Sequence, residues 1–143
     1  MLIGAHIYKV GGKRRVALPK AFREEIGNKV VVTRGYEGCL VVVSPSQWEK
    51  LVEDAASGPF VSGPVRDTSR FLLGGAAEIE LDEQGRFVIP ESLLSYAEIK
   101  DEVCFLGLGR WVEIWDKERW EEREEYLSKE AGDIAERLAR LEV

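Results

Sequence analysis

Gly11–Pro19 reads GGKRRVALP, and Asp82–Pro90 reads DEQGRFVIP. In both, a turn-like segment runs into an arginine (Arg15, Arg86), three residues with apolar ends follow, and a proline closes the unit (Pro19, Pro90). The two arginines stand 71 positions apart in a chain of 143 residues, which reads as one module written twice. Trp48 and Trp120 also fall at matching places, so the repeat extends beyond the turn.

Working outward, Ile3–Val10 reads as a strand, Gly11-Gly12 as a cheap turn, and Arg15–Leu18 as a short returning strand with Val16 and Leu18 on one face. Pro19 suits the first position of a helix, where its missing N–H is no loss. Ala21, Phe22 and Ile26 give that helix an apolar stripe, and Gly27-Asn28 ends it. Val30–Thr33 and Cys39–Val43 form a hairpin around Arg34–Gly38. Ser44 or Ser46 caps a second helix that buries Trp48, Leu51 and Val52.

Ser57–Pro64, with two prolines, two glycines and two serines, reads as a linker, and Val65–Leu73 as a short helix. The cycle then returns: strand Ala77–Leu81, turn Asp82–Gly85, returning strand Arg86–Ile89, helix Pro90–Tyr96, hairpin Val103–Trp115, closing helix Asp116–Tyr126. The expected organisation is a first repeat over 1–56, a linker with a short helix over 57–75, a second repeat over 76–126 and a helical tail over 127–143. A repeat of this size cannot bury both faces of its own sheet. The two copies should therefore pack into one small α+β core, barrel-like and pseudo-two-fold, with flanking helices.

In the tail, Leu127, Ala131, Ile134, Leu138 and Leu141 step by four and three, a heptad spacing. Gly132 costs a helix about 1 kcal/mol and only two heptads exist, so docking on this domain or a neighbour is favoured over a free-standing coil.

A hydrophobic share of 45% and a charged share of 32% are those of a soluble globular protein. No apolar run is long enough to span a membrane or serve as a signal peptide, which points to the cytoplasm. Cys39 and Cys104 each sit in an apolar run and read as small core residues.

The net charge of −6 is unevenly spread. From Met1 to Arg23 there is no acid, while Lys9, Lys13, Arg14, Arg15, Lys20 and Arg23 supply six positive charges. From Asp116 onward ten acids face six bases. Salt screens exposed charges beyond about 8 Å, so one end can attract phosphate while the other remains a solvated acidic face.

A guanidinium presents a planar fork that suits two phosphate oxygens or guanine O6 and N7. A tight turn carries such a side chain outward on a narrow support, and Lys13, Arg14 and Arg15 together provide affinity through counterion release. One monomer offers few contacts, so an array of turns on repeated sites would be needed, raising affinity roughly 10²–10⁴-fold. Lys9, Lys20 and Arg23 read as surface charges of their elements, and His6 as a strand surface or interface residue. No phosphate-cradling glycine motif, metal-ligand spacing or nucleophile motif occurs, so no enzyme, cofactor or small-molecule substrate is expected. The competing reading is an oligomeric protein-interaction or antitoxin-like module whose acidic C-terminal helix binds a second protein.

Thr33–Leu40 (TRGYEGCL), Arg70–Ala76 (RFLLGGA), Asp82–Pro90 and Ile114–Lys117 (IWDK), taken with the turn-arginine-proline order, resemble the MraZ family. The resemblance covers the chain to about Tyr126. It implies two AbrB-like swapped-hairpin repeats in a bacterial transcriptional regulator. Such a protein forms ring-like oligomers, binds repeated promoter sites in double-stranded DNA at the nucleoid and controls the division and cell-wall gene cluster, its own promoter included. The family signature Asp-x-x-x-Arg is complete at Asp82 and Arg86. In the first copy Gly11 stands in the place of the Asp, and Arg14 in that of the Gly before Arg15. Lys13, Arg15, Asp82 and Arg86 are carried over by position as DNA-binding residues, and Arg14 is added on its chemistry.

Overall fold

The computed structural model describes residues 1–141, so the last two residues of the expected tail, Glu142 and Val143, lie outside the described residues. Its elements run in two similar series. The first is β1 (Leu2–Lys9), β2 (Arg15–Ala17), α1 (Lys20–Ile26), β3 (Lys29–Arg34), β4 (Leu40–Val43) and α2 (Pro45–Ala56). After α3 (Gly63–Leu72) come β5 (Ala77–Glu80), β6 (Arg86–Val88), α4 (Glu91–Tyr96), β7 (Glu102–Gly109), β8 (Val112–Asp116) and α5 (Lys117–Leu141). Ser44 is the cap of α2, its Oγ accepting from the Gln47 N–H at 3.2 Å.

The strands pair across the repeats, and here the simple hairpins expected on either side of Gly11-Gly12 and of Asp82–Gly85 are corrected. β1 lies antiparallel to β7 and β5 antiparallel to β3, while β2 pairs with β6 in a separate two-stranded ribbon. The chain makes a tight turn over Gly12–Arg14 and leaves β1, keeping only one bridge, Gly11 to Arg15. The departure lets Val16, Leu18, Phe87 and Ile89 reach the interior, which a flat hairpin at the sheet edge would not allow.

The six-stranded sheet has the order β1-β7-β8-β4-β3-β5, which reads the same backwards when the repeats are exchanged. Its centre is the β4–β8 pair, with Val41 opposite Glu113. The swapped strands end in opposite-charge neighbours with the signs reversed, Lys9 across from Glu102 and Glu80 across from Lys29. Each such pair is worth roughly 0.2–1 kcal/mol.

One core serves both repeats. Leu18, Phe22 and Val32 from the first meet Ile89, Leu93, Phe105 and Ile114 from the second, all buried. The ribbon contributes Val16 and Phe87 to this core. The fold class is therefore α+β with two repeats around a single core, built by packing a two-stranded ribbon on an open six-stranded sheet rather than as a closed barrel. On the sheet's other side α5 lays Trp120 against Trp115, Cys39 and Cys104, and α2 covers Val31 and Val43 with Trp48.

α3 is fastened through its last carbonyls, which an α-helix cannot satisfy itself. Thr33 Oγ1 donates to the Leu72 carbonyl at 2.5 Å, and the Arg34 guanidinium donates to those of Phe71 and Arg70 while lying over the Phe71 ring. α5 runs without interruption through Gly132, and beyond Leu127 nearly all of its side chains are exposed. No helix of the described residues is long and apolar enough to cross a membrane.

Candidate nucleic-acid interface

The β2–β6 ribbon comprises three residue pairs: Arg15 with Val88, Val16 with Phe87, and Ala17 with Arg86. Directly opposed residues of antiparallel strands project to the same face, and successive residues alternate. Val16 and Phe87, 2% and 4% exposed, face the core, which puts Arg15 and Arg86 together on the outer face. Burial thus fixes the register: slipping either strand by one residue would drive its arginine inward. As diagonal neighbours, their backbones lie about 7–8 Å apart.

The flanking turns are built alike. The Gly11 N–H donates to the Arg15 carbonyl at 2.8 Å, and the Asp82 N–H to that of Arg86 at 3.0 Å. Each turn is also tied to the other repeat, through Leu18 N–H to the Gly85 carbonyl and Ile89 N–H to the Arg14 carbonyl. A shift in either turn therefore pulls on the strand that carries the other arginine.

In the second turn Asp82 organises both backbone and arginine. Its Oδ1 accepts from the N–H groups of Arg86 (2.8 Å) and Gln84 (2.9 Å), and its Oδ2 accepts from Arg86 Nε at 2.8 Å. Only one of the five guanidinium N–H donors is engaged there, so the outer edge of the fork stays available to a ligand. The backbone N–H of Arg86, then its side chain and the Gln84 N–H, hold the Asp82 carboxyl below its ordinary 3.8. A depressed carboxylate stabilises the fold above its unfolded pKa and loses that contribution as pH falls through the folded value. The turn should accordingly stay ordered through pH 4 and loosen only below 3.8. A carboxyl titration of Asp82 by NMR checks this: a midpoint at or above the ordinary value contradicts the arrangement.

The first turn is more basic and has no counterpart of the Asp82 hydrogen bonds. With Gly11 in the place of Asp82, the Arg15 side chain has no carboxylate or hydrogen-bond partner among the described residues. Arg14 occupies the place of Gly85 and keeps its left-handed backbone, φ 60° against 76°, and Lys13 beside it has φ 62°. For residues with a Cβ this conformation costs about 1–2 kcal/mol each. Arg14 is only loosely balanced by the exposed Glu91, 3.8 Å away.

All five residues singled out in the sequence lie on this ribbon or its turns. Arg15 and Arg86 come together on one face, Lys13 and Arg14 sit in the first turn, and Asp82 holds the second. Arg23, read from the sequence as a surface charge of α1, instead packs its side chain across Gly85 of the opposite repeat, and its Nε is buried without a hydrogen-bond partner. A side chain at 85 would collide with it, a second reason for glycine there. Cys39 and Cys104 are free and buried, and burial pushes the Cys104 thiol up to about 11, which makes it a poor nucleophile.

The model of the family described as MraZ protein, antitoxin-like, matches this chain twice, over residues 1–71 and 72–141. The chain belongs to the MraZ family. It is similar to a protein called transcriptional regulator MraZ from Caldanaerobacter subterraneus subsp. tengcongensis, 41% identical over 96% of each chain. Proteins of the same name from Acetivibrio thermocellus and from a Thermoanaerobacter strain are each 39% identical, over 99% and 100% of both chains. The two family matches meet at the end of α3, so the pseudo-symmetry of the sheet and the duplication in the family coincide.

Proposed function

We propose that this chain is a sequence-specific DNA-binding transcription regulator that grips repeated promoter sites as a ring-like homo-oligomer. The observation that carries the reading is the pair Arg15 and Arg86 on one solvent face of a two-stranded ribbon. A ribbon of this width fits the major groove of B-form DNA, where arginine forks pair with guanine O6 and N7. The printed name of the relatives supports the same class of activity.

In this reading the roles divide with the turns. Arg86, steadied by Asp82, reads a base edge. Arg15, unpaired, grips phosphate together with Lys13 and Arg14, whose charge is not offset by an acid in their own turn. The ribbon is short, so affinity comes from several ribbons of one assembly meeting evenly spaced sites. The target implied by the family resemblance is the division and cell-wall gene cluster, beginning with the promoter upstream of the protein's own gene.

A footprint on that upstream DNA is the test. Expected are several protected blocks at regular spacing that persist in excess nonspecific competitor. Protection lost to competitor, or spread without blocks, would contradict sequence-specific recognition and favour a protein-interaction role.

A further inference from the structure

Ser57–Ser62, which reads as a plain linker, is a closed turn with an apolar tip. Phe60 and Val61 are 84% and 83% exposed. The turn is nonetheless pinned: Ser62 N–H donates to the Pro59 carbonyl at 3.0 Å, and Arg66 Nη1 to that of Phe60 at 2.9 Å. Ser62 Oγ caps α3 at Val65, and Gly58 lies so close to Val65 that a Cβ there would meet Val65 Cγ2 at 2.6 Å. Two adjacent large apolar residues held outward by a braced backbone are arranged in advance for contact, at little ordering cost on binding.

The same chain carries a matching recess. Between α2 and the sheet lies a groove of about 410 Å³, with Val41, Val43, Leu51, Leu72 and Trp111 in its lining. Its rim bears Glu37, Asp54 and Glu113 against Lys50 and Arg110, a net negative charge. The one charged residue between Ser57 and Arg66 is Arg66 itself, at the base of the tip. Apolarity and charge sign therefore correspond, and the exposed tip does not fill its own groove.

We propose that the Phe60–Val61 tip of one copy seats in this groove of a second copy. Tip and groove are different surfaces, so the contact is heterologous and repeats from copy to copy until a ring closes. The inference rests on the self-association included in the proposed function, and names the surface that produces it.

Native mass spectrometry and light scattering on the full chain, with circular dichroism to confirm folding, test it. Phe60→Asp at the tip and Ala55→Arg at an exposed groove position are each expected to reduce the assembly to single chains, and mixing the two should restore only pairs. Wild-type chain that is monomeric at micromolar concentration overturns self-association and this contact together. A wild-type assembly whose mass survives both substitutions overturns the contact alone. Loss of assembly in Leu138→Asp but in neither of these variants assigns association to the exposed stripe of α5, and likewise overturns it.

Discussion

Replacing Arg15 and Arg86 together by alanine is expected to abolish operator binding while leaving fold and assembly intact. A bidentate guanidinium contact to a base edge, as for Arg86, is worth about 1–3 kcal/mol, and a hydrogen bond to a charged phosphate, as for Arg15, about 1.5–3 kcal/mol. Removing both from one ribbon therefore weakens it by at least about 30-fold, and an assembly using several ribbons loses more. Neither side chain supports the core: both lie on the outer face, opposite Val16 and Phe87. The single variants should differ. Arg15→Ala should weaken every DNA sequence alike and lower the salt dependence by about one counterion, whereas Arg86→Ala should erode discrimination between operator and random DNA. Fluorescence anisotropy at several salt concentrations measures both. Unchanged operator affinity in the double variant would contradict the assignment.

Phe105→Ala should produce the largest loss of stability. Phe105 is wholly buried in β7, between the partner strands β1 and β8, and its ring meets Tyr8 edge-on at 5.8 Å. Truncating such a residue costs about 3–5 kcal/mol, a large part of the 5–15 kcal/mol that holds a typical domain folded. Because both repeats share one core and exchange strands, the loss should appear as a single cooperative transition at lower denaturant. Far-UV circular dichroism and tryptophan fluorescence should coincide; two separate transitions would mean that the repeats fold independently.

How far the fold could be read from the sequence follows from what periodicity encodes. Alternation placed Val16 and Leu18 on one face, and the 71-residue echo placed two arginines in equivalent turns. Alternation fixes a strand's face but not its partner. β1 could satisfy the same pattern in its own hairpin or beside β7, and only the packing of the whole core selects the latter. That choice also brings Arg15 and Arg86 onto one ribbon, so the site was legible as residues and not as a surface.

The remaining features are tertiary in origin. Arg23 reaches Gly85 because α1 faces the opposite repeat, a neighbour nothing local announces. Gly11 and Arg14 were visible as departures from the family pattern, while the strained left-handed backbone that Arg14 inherits was not. Ser57–Pro64 reads as a linker from its prolines, glycines and serines, but composition is silent on whether such a segment is loose or braced, and here four hydrogen bonds and a close Val65 contact brace it.

In the proposed function the outer face of the β2–β6 ribbon lies against DNA. Ala17 stands on that face, opposite Arg86, and the native cysteines are buried. An iron chelate tethered to Ala17→Cys should therefore cleave operator DNA within each protected block when hydroxyl radicals are generated. The same chelate on Ser128→Cys, exposed on α5, serves as the comparison. Cleavage confined to the protected blocks from position 17 and absent from position 128 is the expected result; cleavage from 128 with none from 17 would contradict it.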